Sequence, residues 1–216
     1  MAETRSGLWL IAVALAAALA ISSQMLGWPW AHYLSKPLAT LLLAAMVWTT
    51  VSQEPAYRRW VLIGLLWSAL GDAFLMLPGD WFVYGLLSFL AAHLAYLWAF
   101  RQRAPWLARL LPFALYGLIA AGVLSALWPG VPPALRVPVI VYVAALAAMA
   151  AQAAAIAMVR RDRASVLAAV GGASFLLSDA LLAWNRFAGP IEAARLWVLS
   201  SYWLAQWLIA RSVARR

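Results

Sequence analysis

Eight apolar stretches, at about residues 7–27, 34–52, 60–78, 81–100, 106–128, 135–159, 164–185 and 193–211, take up nearly the whole chain. A helix needs about 20 apolar residues to cross the hydrocarbon core of a bilayer. The stretches are rich in Ala and Leu and lack the period-two alternation of membrane barrels, so they read as helices and not strands. Turn or charge signals separate them, among them Gly27-Trp28-Pro29, Gln53-Glu54-Pro55, Pro78-Gly79-Asp80, Trp128-Pro129-Gly130 and the Arg160-Arg161-Asp162-Arg163 cluster. With 67% hydrophobic and 11% charged residues over 216 positions, a soluble fold could not hide this much apolar surface. The expected fold class is all-α: a polytopic membrane protein of eight transmembrane helices in a single integral-membrane domain. The first stretch follows Arg5 and ends near Ala20-Ile21-Ser22, a loose match to a leader peptide. It is read as a retained helix, because the internal repeat below requires it.

The net charge of +9 does not indicate nucleic acid, since no basic stripe with interleaved aromatics is present. The cations sit in the gaps between apolar stretches. Arg5, Arg58, Arg59, Arg101, Arg103, Arg109, Arg160, Arg161, Arg163, Arg211, Arg215 and Arg216 fall on one side, against Lys36, Arg136, Arg186 and Arg195 on the other. The positive-inside bias places both termini in the cytoplasm, in a plasma or bacterial inner membrane. Trp28, Trp30, Trp60, Trp81, Trp106, Trp128 and Trp184 lie near span ends, as anchors at the headgroup level. Cysteine is absent, so no thiolate chemistry is available.

The halves, about 7–103 and 106–211, resemble each other. Pro37 corresponds to Pro138, Gly64 and Asp72 to Gly171 and Asp179, and Ser88-Phe89-x-x-Ala92-His93 to Ser201-Tyr202-x-x-Ala205-Gln206. The offsets of Pro37, Asp72 and His93 from their counterparts are 101, 107 and 113, rising in chain order as they would if only loops changed length. Two four-helix units of the same orientation imply an axis along the membrane normal and a site between them.

Of the seven acids, Asp72 and Asp179 alone fall well inside apolar stretches. At 1.5 Å per residue they sit about 18 and 22 Å from the cytoplasmic edge, at nearly one depth. An ionisable group there is costly and marks function by default. They are the candidate catalytic pair. Lys36, read as opening helix 2 with Pro37 in its first turn, and Arg186, at the outer end of helix 7 beside Asn185, are candidate phosphate ligands. His93 and Tyr96 share one face of helix 4, and Tyr202 and Gln206 the matching face of helix 8. Tyr142 reads as packing, and Ser178 as a hydroxyl bonded to its own helix one turn back. His32 is poorly placed to join His93, so a metal site is not expected. No G-x-S-x-G, H-E-x-x-H or P-loop motif occurs.

Ser35-Lys36-Pro37-Leu38, Leu70-Gly71-Asp72, the run Gly85 to Tyr96, Arg136-Val137-Pro138-Val139-x-x-Tyr142, Leu177-Ser178-Asp179-Ala180-Leu181-Leu182, Asn185-Arg186-Phe187 and Tyr202-x-x-Ala205-Gln206 together resemble the YhhN family. These are lysoplasmalogenase-like eight-helix membrane proteins, and the resemblance runs from about residue 34 to 211. It implies hydrolysis of the vinyl ether bond of lysoplasmalogens to a fatty aldehyde and a glycerophospho-ethanolamine or -choline head, with the family's two aspartates at Asp72 and Asp179. The partners are then a lysophospholipid, water and membrane lipids, with no cofactor. The chemistry suits a carboxyl pair. Vinyl ether hydrolysis needs one proton donor for the β-carbon and one anion beside the resulting oxocarbenium ion, as in two-carboxylate glycosidases. A proton-coupled transporter or lipid translocator is the alternative, since paired repeats with buried carboxyls also suit a carrier.

Overall fold

A computed structural model describes residues 2–214, apart from the side chains of residues 2–6 and of Gln24 and Met25. Arg5, Arg215 and Arg216, three of the cations used for orientation, therefore lie outside the described side chains. The described residues form eight long helices and two short 3-10 turns, with no strand. The helices are α1 (Ala2–Met25), α2 (Pro29–Thr49), α3 (Pro55–Phe74), α4 (Phe82–Arg101), α5 (Leu110–Leu127), α6 (Arg136–Arg160), α7 (Arg163–Phe187) and α8 (Ala194–Arg211).

Local chemistry sets their ends. Gly27 takes φ +71° and turns the chain out of α1. Pro29 and Pro55 each open a helix at the first positions, where a missing N–H costs nothing. Asp162 caps α7, its carboxylate accepting from the Ser165 N–H at 2.7 Å. One boundary corrects the sequence reading. α2 begins at Pro29, so Lys36 lies two turns inside the helix and Pro37 is an interior proline. Pro29 satisfies the helix-start rule as well as Pro37 does, and the earlier of the two prevails.

Four helical segments are long and apolar enough to cross a membrane by themselves: Phe82–Arg101, Leu110–Gly130, Pro133–Arg160 and Arg163–Phe187. Gly7–Ser23 adds a shorter apolar stretch. α2, α3 and α8 fall below that apolarity. They bury polar groups such as Lys36, Thr40, Asp72 and Gln206, which turn inward. Large apolar side chains cover the outside, Leu8, Leu118 and Val137 among them. An apolar exterior around a polar interior is what a membrane protein requires.

Neighbouring helices pack in sequence, α1 on α2, α2 on α3 and α3 on α4, then α5 on α6, α6 on α7 and α7 on α8. The two sets meet where α4 packs on α6 and α2 on α8. Glycine permits the tightest approaches. A side chain at Gly64 would collide with the Tyr96 ring, and one at Gly171 would meet the Ala205 carbonyl oxygen at 3.1 Å. Phe175, fully buried, sits where the sets join, with the rings of Phe89, His93, Tyr96 and Tyr202 around it at 4.7–6.3 Å.

Away from this centre, at the end carrying the α2–α3 loop, Glu54 is clasped by Arg103 at 2.6 Å and Arg160 at 2.9 Å. The Arg103 guanidinium also lies 3.5 Å from the Tyr57 ring centroid and donates to the Ser212 carbonyl at 2.9 Å. This ties the ends of α3, α4, α6 and α8 together.

Candidate active site

Asp72 and Asp179 line one cavity of about 960 Å³. Its walls come from α2, α3, α4, α7 and α8, and its mouth from the α1–α2 and α3–α4 connections with the start of α8.

Their surroundings differ. Asp72 is 1% exposed. Its Oδ2 accepts from the Thr40 hydroxyl at 2.7 Å and the Tyr202 hydroxyl at 2.8 Å, and its Oδ1 lies 3.4 Å from Lys36 Nζ. Two helices thus supply three donors to one carboxylate: Lys36 and Thr40 from α2, one turn apart, and Tyr202 from α8. Asp179 has one hydrogen bond, from the Tyr142 hydroxyl of α6 at 2.5 Å. His93 Nε2 is 3.7 Å from its Oδ2, beyond hydrogen-bond reach. The His93 ring is fully buried edge-on to Tyr142 and Phe175, and neither of its nitrogens has a hydrogen-bond partner among the described residues.

Several sequence expectations change here. Tyr142 is a carboxyl ligand as well as a packing residue. Ser178 does not bond its own helix but donates to the Val198 carbonyl of α8 at 3.0 Å, because α8 lies close enough to compete with the intrahelical acceptor. Tyr96 donates to Gln206 Oε1 at 2.6 Å, joining α4 to α8 without reaching either aspartate. Asn185 accepts from the Ile191 N–H at 3.0 Å and fixes the α7–α8 turn. Lys36 is engaged with Asp72. Arg186 pairs with Asp80 at 3.2 Å at the cavity mouth and lies over the Phe82 ring.

Three residues outside the candidate set read from the sequence also lie at the site. Thr40 is four residues after Lys36, and helical spacing alone puts both on one face. His32 lines the cavity with its Nδ1 2.8 Å from the Ala20 carbonyl oxygen. Arg195 lines the mouth and makes no hydrogen bond or ion pair with a described residue. In the sequence it is one loop charge among several.

The profile of the YhhN family matches residues 31–213. The chain belongs to the YhhN family. Among YhhN relatives, a pig protein named lysoplasmalogenase TMEM86B is 38% identical over 187 residues, covering 86% of this chain and 76% of its own. A Mycobacterium tuberculosis protein named lysoplasmalogenase is 35% identical over 179 residues, 80% of this chain and 66% of that one. The Escherichia coli uncharacterized membrane protein YhhN is 38% identical over 90 residues, 41% of this chain and 43% of its own. No solved structure matches this YhhN chain.

Proposed function

We propose that this chain hydrolyses the vinyl ether bond of lysoplasmalogens, releasing a fatty aldehyde and a glycerophospho-ethanolamine or -choline head. Its relatives' names support the reaction. The observation that carries the mechanism is the pair of carboxyls on one cavity with unequal surroundings.

Asp72 holds a cation and two hydroxyl donors, a set that only a carboxylate can accept in full. It is the anion. Asp179, with a single donor, carries the proton. It protonates the β-carbon of the alkenyl chain, which moves the positive charge to the oxocarbenium centre, where Asp72 opposes it. Water adds to that carbon and returns a proton to Asp179. The resulting hemiacetal collapses to aldehyde and free glycerol hydroxyl, with no net gain or loss of protons. His93, packed behind Asp179, supports it from the core.

The unequal wiring follows from the proposed repeat. Aligned on Pro37 and Pro138, the second half has Val137 and Val141 where the first has Lys36 and Thr40. Aligned on Ser88 and Ser201, the first half has Phe89 where the second has Tyr202. The positions equivalent to the three donors of Asp72 thus carry apolar residues in the other half, and Val137 and Val141 face outward, away from Asp179. The mirrored packing of α1–α4 and α5–α8 supports the same repeat. In this reading all eight helices cross the bilayer with both termini cytoplasmic, and the cavity opens to the opposite side. Arg195 then faces the lipid phosphate, since Lys36 and Arg186 are already paired.

The test is aldehyde release from lysoplasmalogen by the purified protein in detergent. Asp179→Asn should lower turnover by about 100-fold or more while the protein elutes as a folded species. Near wild-type turnover in that variant removes the mechanism.

A further inference from the structure

Beside the polar cavity runs a second, narrow void of about 70 Å³. Four helices line it with one stripe each: Phe82, Leu86 and Phe89 of α4; Ala120, Val123, Leu124 and Leu127 of α5; the Val139–Leu146 face of α6; and Leu176, Asp179, Ala180 and Ala183 of α7. The spacings are those of a single helix face. Asp179 and Tyr142 supply the only side-chain polar atoms of its lining among the described residues. Leu75, Phe82, Phe89, Asp179 and Leu182 line both voids, so the slot and the cavity are adjacent and share Asp179 in their walls.

α5 is the outlying helix of the bundle. It packs on α6 and touches α7, but among the described residues it has no close approach to α4, its neighbour in sequence. The slot is the gap left between α4 and α5. Its lining residues Phe82 and Leu86 of α4 and Val123 and Leu124 of α5 are half-buried, and the outer faces of both helices are apolar, with Leu87 and Leu118 exposed.

We infer that this slot holds the hydrocarbon chain of the single-chain ether lipid, which enters sideways from the bilayer between α4 and α5 with its polar head in the larger cavity. The inference rests on the proposed reaction for the lipid class, and on the lining residues shared by the two voids for the place. An amphiphile laid across the junction has its ether oxygen on the polar side and its first chain carbons on the apolar side. The vinyl ether carbons then fall at Asp179, where a proton is delivered. The slot is short and open to the bilayer, so it grips the first carbons and leaves the rest of the chain in lipid. It should read the presence of a chain more than its full length.

Binding can be tested without turnover. A saturated alkyl-ether lysophospholipid with a diazirine on the third or fourth chain carbon has no vinyl ether to cleave. Photolysis with the wild-type protein in nanodiscs should label α4 and α5 peptides around Leu86, Val123 and Leu124. Labelling confined to α1, α2 or α8 overturns the slot, whatever the reaction proves to be. Turnover supplies the second arm. Leu124→Trp, filling the gap, should lower the ratio of kcat/KM for a hexadecenyl substrate to that for a propenyl analogue by at least tenfold. A general fault in folding lowers both alike and leaves the ratio unmoved; an unchanged ratio overturns the inference. If the wild type releases aldehyde from neither substrate, the reaction fails, and the photolabelling still decides where the chain binds.

Discussion

The Tyr202 hydroxyl on α8 donates to Oδ2 of Asp72 on α3 at 2.8 Å, and Thr40 donates to the same oxygen at 2.7 Å. A bond from one half of the chain to the other thus fixes the carboxylate assigned here to face a developing cation. Removing a hydrogen bond to a charged group costs about 1.5–3 kcal/mol. Tyr202→Phe should therefore reduce kcat by about ten- to a hundredfold. Steady-state kinetics should place the loss in kcat with KM little changed, because the hydroxyl acts on Asp72 and not on the lipid head.

Lys36 and Asp72 form a buried pair, with side chains 10% and 1% exposed. Deleting one partner leaves a bare charge in the core, which costs about 3–5 kcal/mol. Lys36→Met should lower the thermal midpoint in detergent markedly. Combining it with Asp72→Asn should recover most of that loss, although the double variant stays inactive. If Lys36→Met melts like the wild type, the pair is not what holds Asp72.

Among the described residues, Arg195 is the cation at the cavity mouth without an ion pair. Arg195→Ala should raise KM for a lysoplasmalogen by about tenfold, the lower end of a charge-assisted contact with phosphate. The same variant should treat an alkenyl glycerol without phosphate as the wild type does. An equal rise for both substrates would remove the phosphate contact.

At the other end of α7, partial burial pushes the Asp162 carboxyl up, but hydrogen bonds from Ser165 and the nearby Arg160 and Arg103 outweigh it and hold it below the usual carboxylate range. A carboxyl lowered on folding stabilises the fold fully above its unfolded value and loses that contribution as pH falls through the folded one. Asp162→Ala should cost about 0.5–2 kcal/mol near neutrality, the ordinary worth of a helix cap. The gap in thermal midpoint between variant and wild type should shrink towards pH 3.

How much of this was legible in sequence depends on whether the signal was local. Helix number followed from apolar runs, and the Pro55 start and Asp162 cap from residues whose backbone preference is their own. Helix 2 was misplaced because Pro29 and Pro37 satisfy the same rule, and the helix starts at the earlier of the two. The places of Asp72 along α3 and of Asp179 along α7 could be counted along single helices. Their unequal donors could not, because Thr40, Tyr202 and Tyr142 come from three helices whose rotation the sequence leaves free. Ser178 was misread for the same reason: its acceptor is on α8. The gap between α4 and α5 has no sequence signal, since α5 is apolar on every face.

That Asp179 stands between a polar vestibule and a greasy cleft has a consequence for what happens after bond breakage. The phosphorylated fragment is soluble and can leave by the loops. The aldehyde would be born already pointing into the membrane, so it could slip away between two helices without ever being wetted, and a reactive carbonyl would be handed to the lipid phase and not to the surrounding solution.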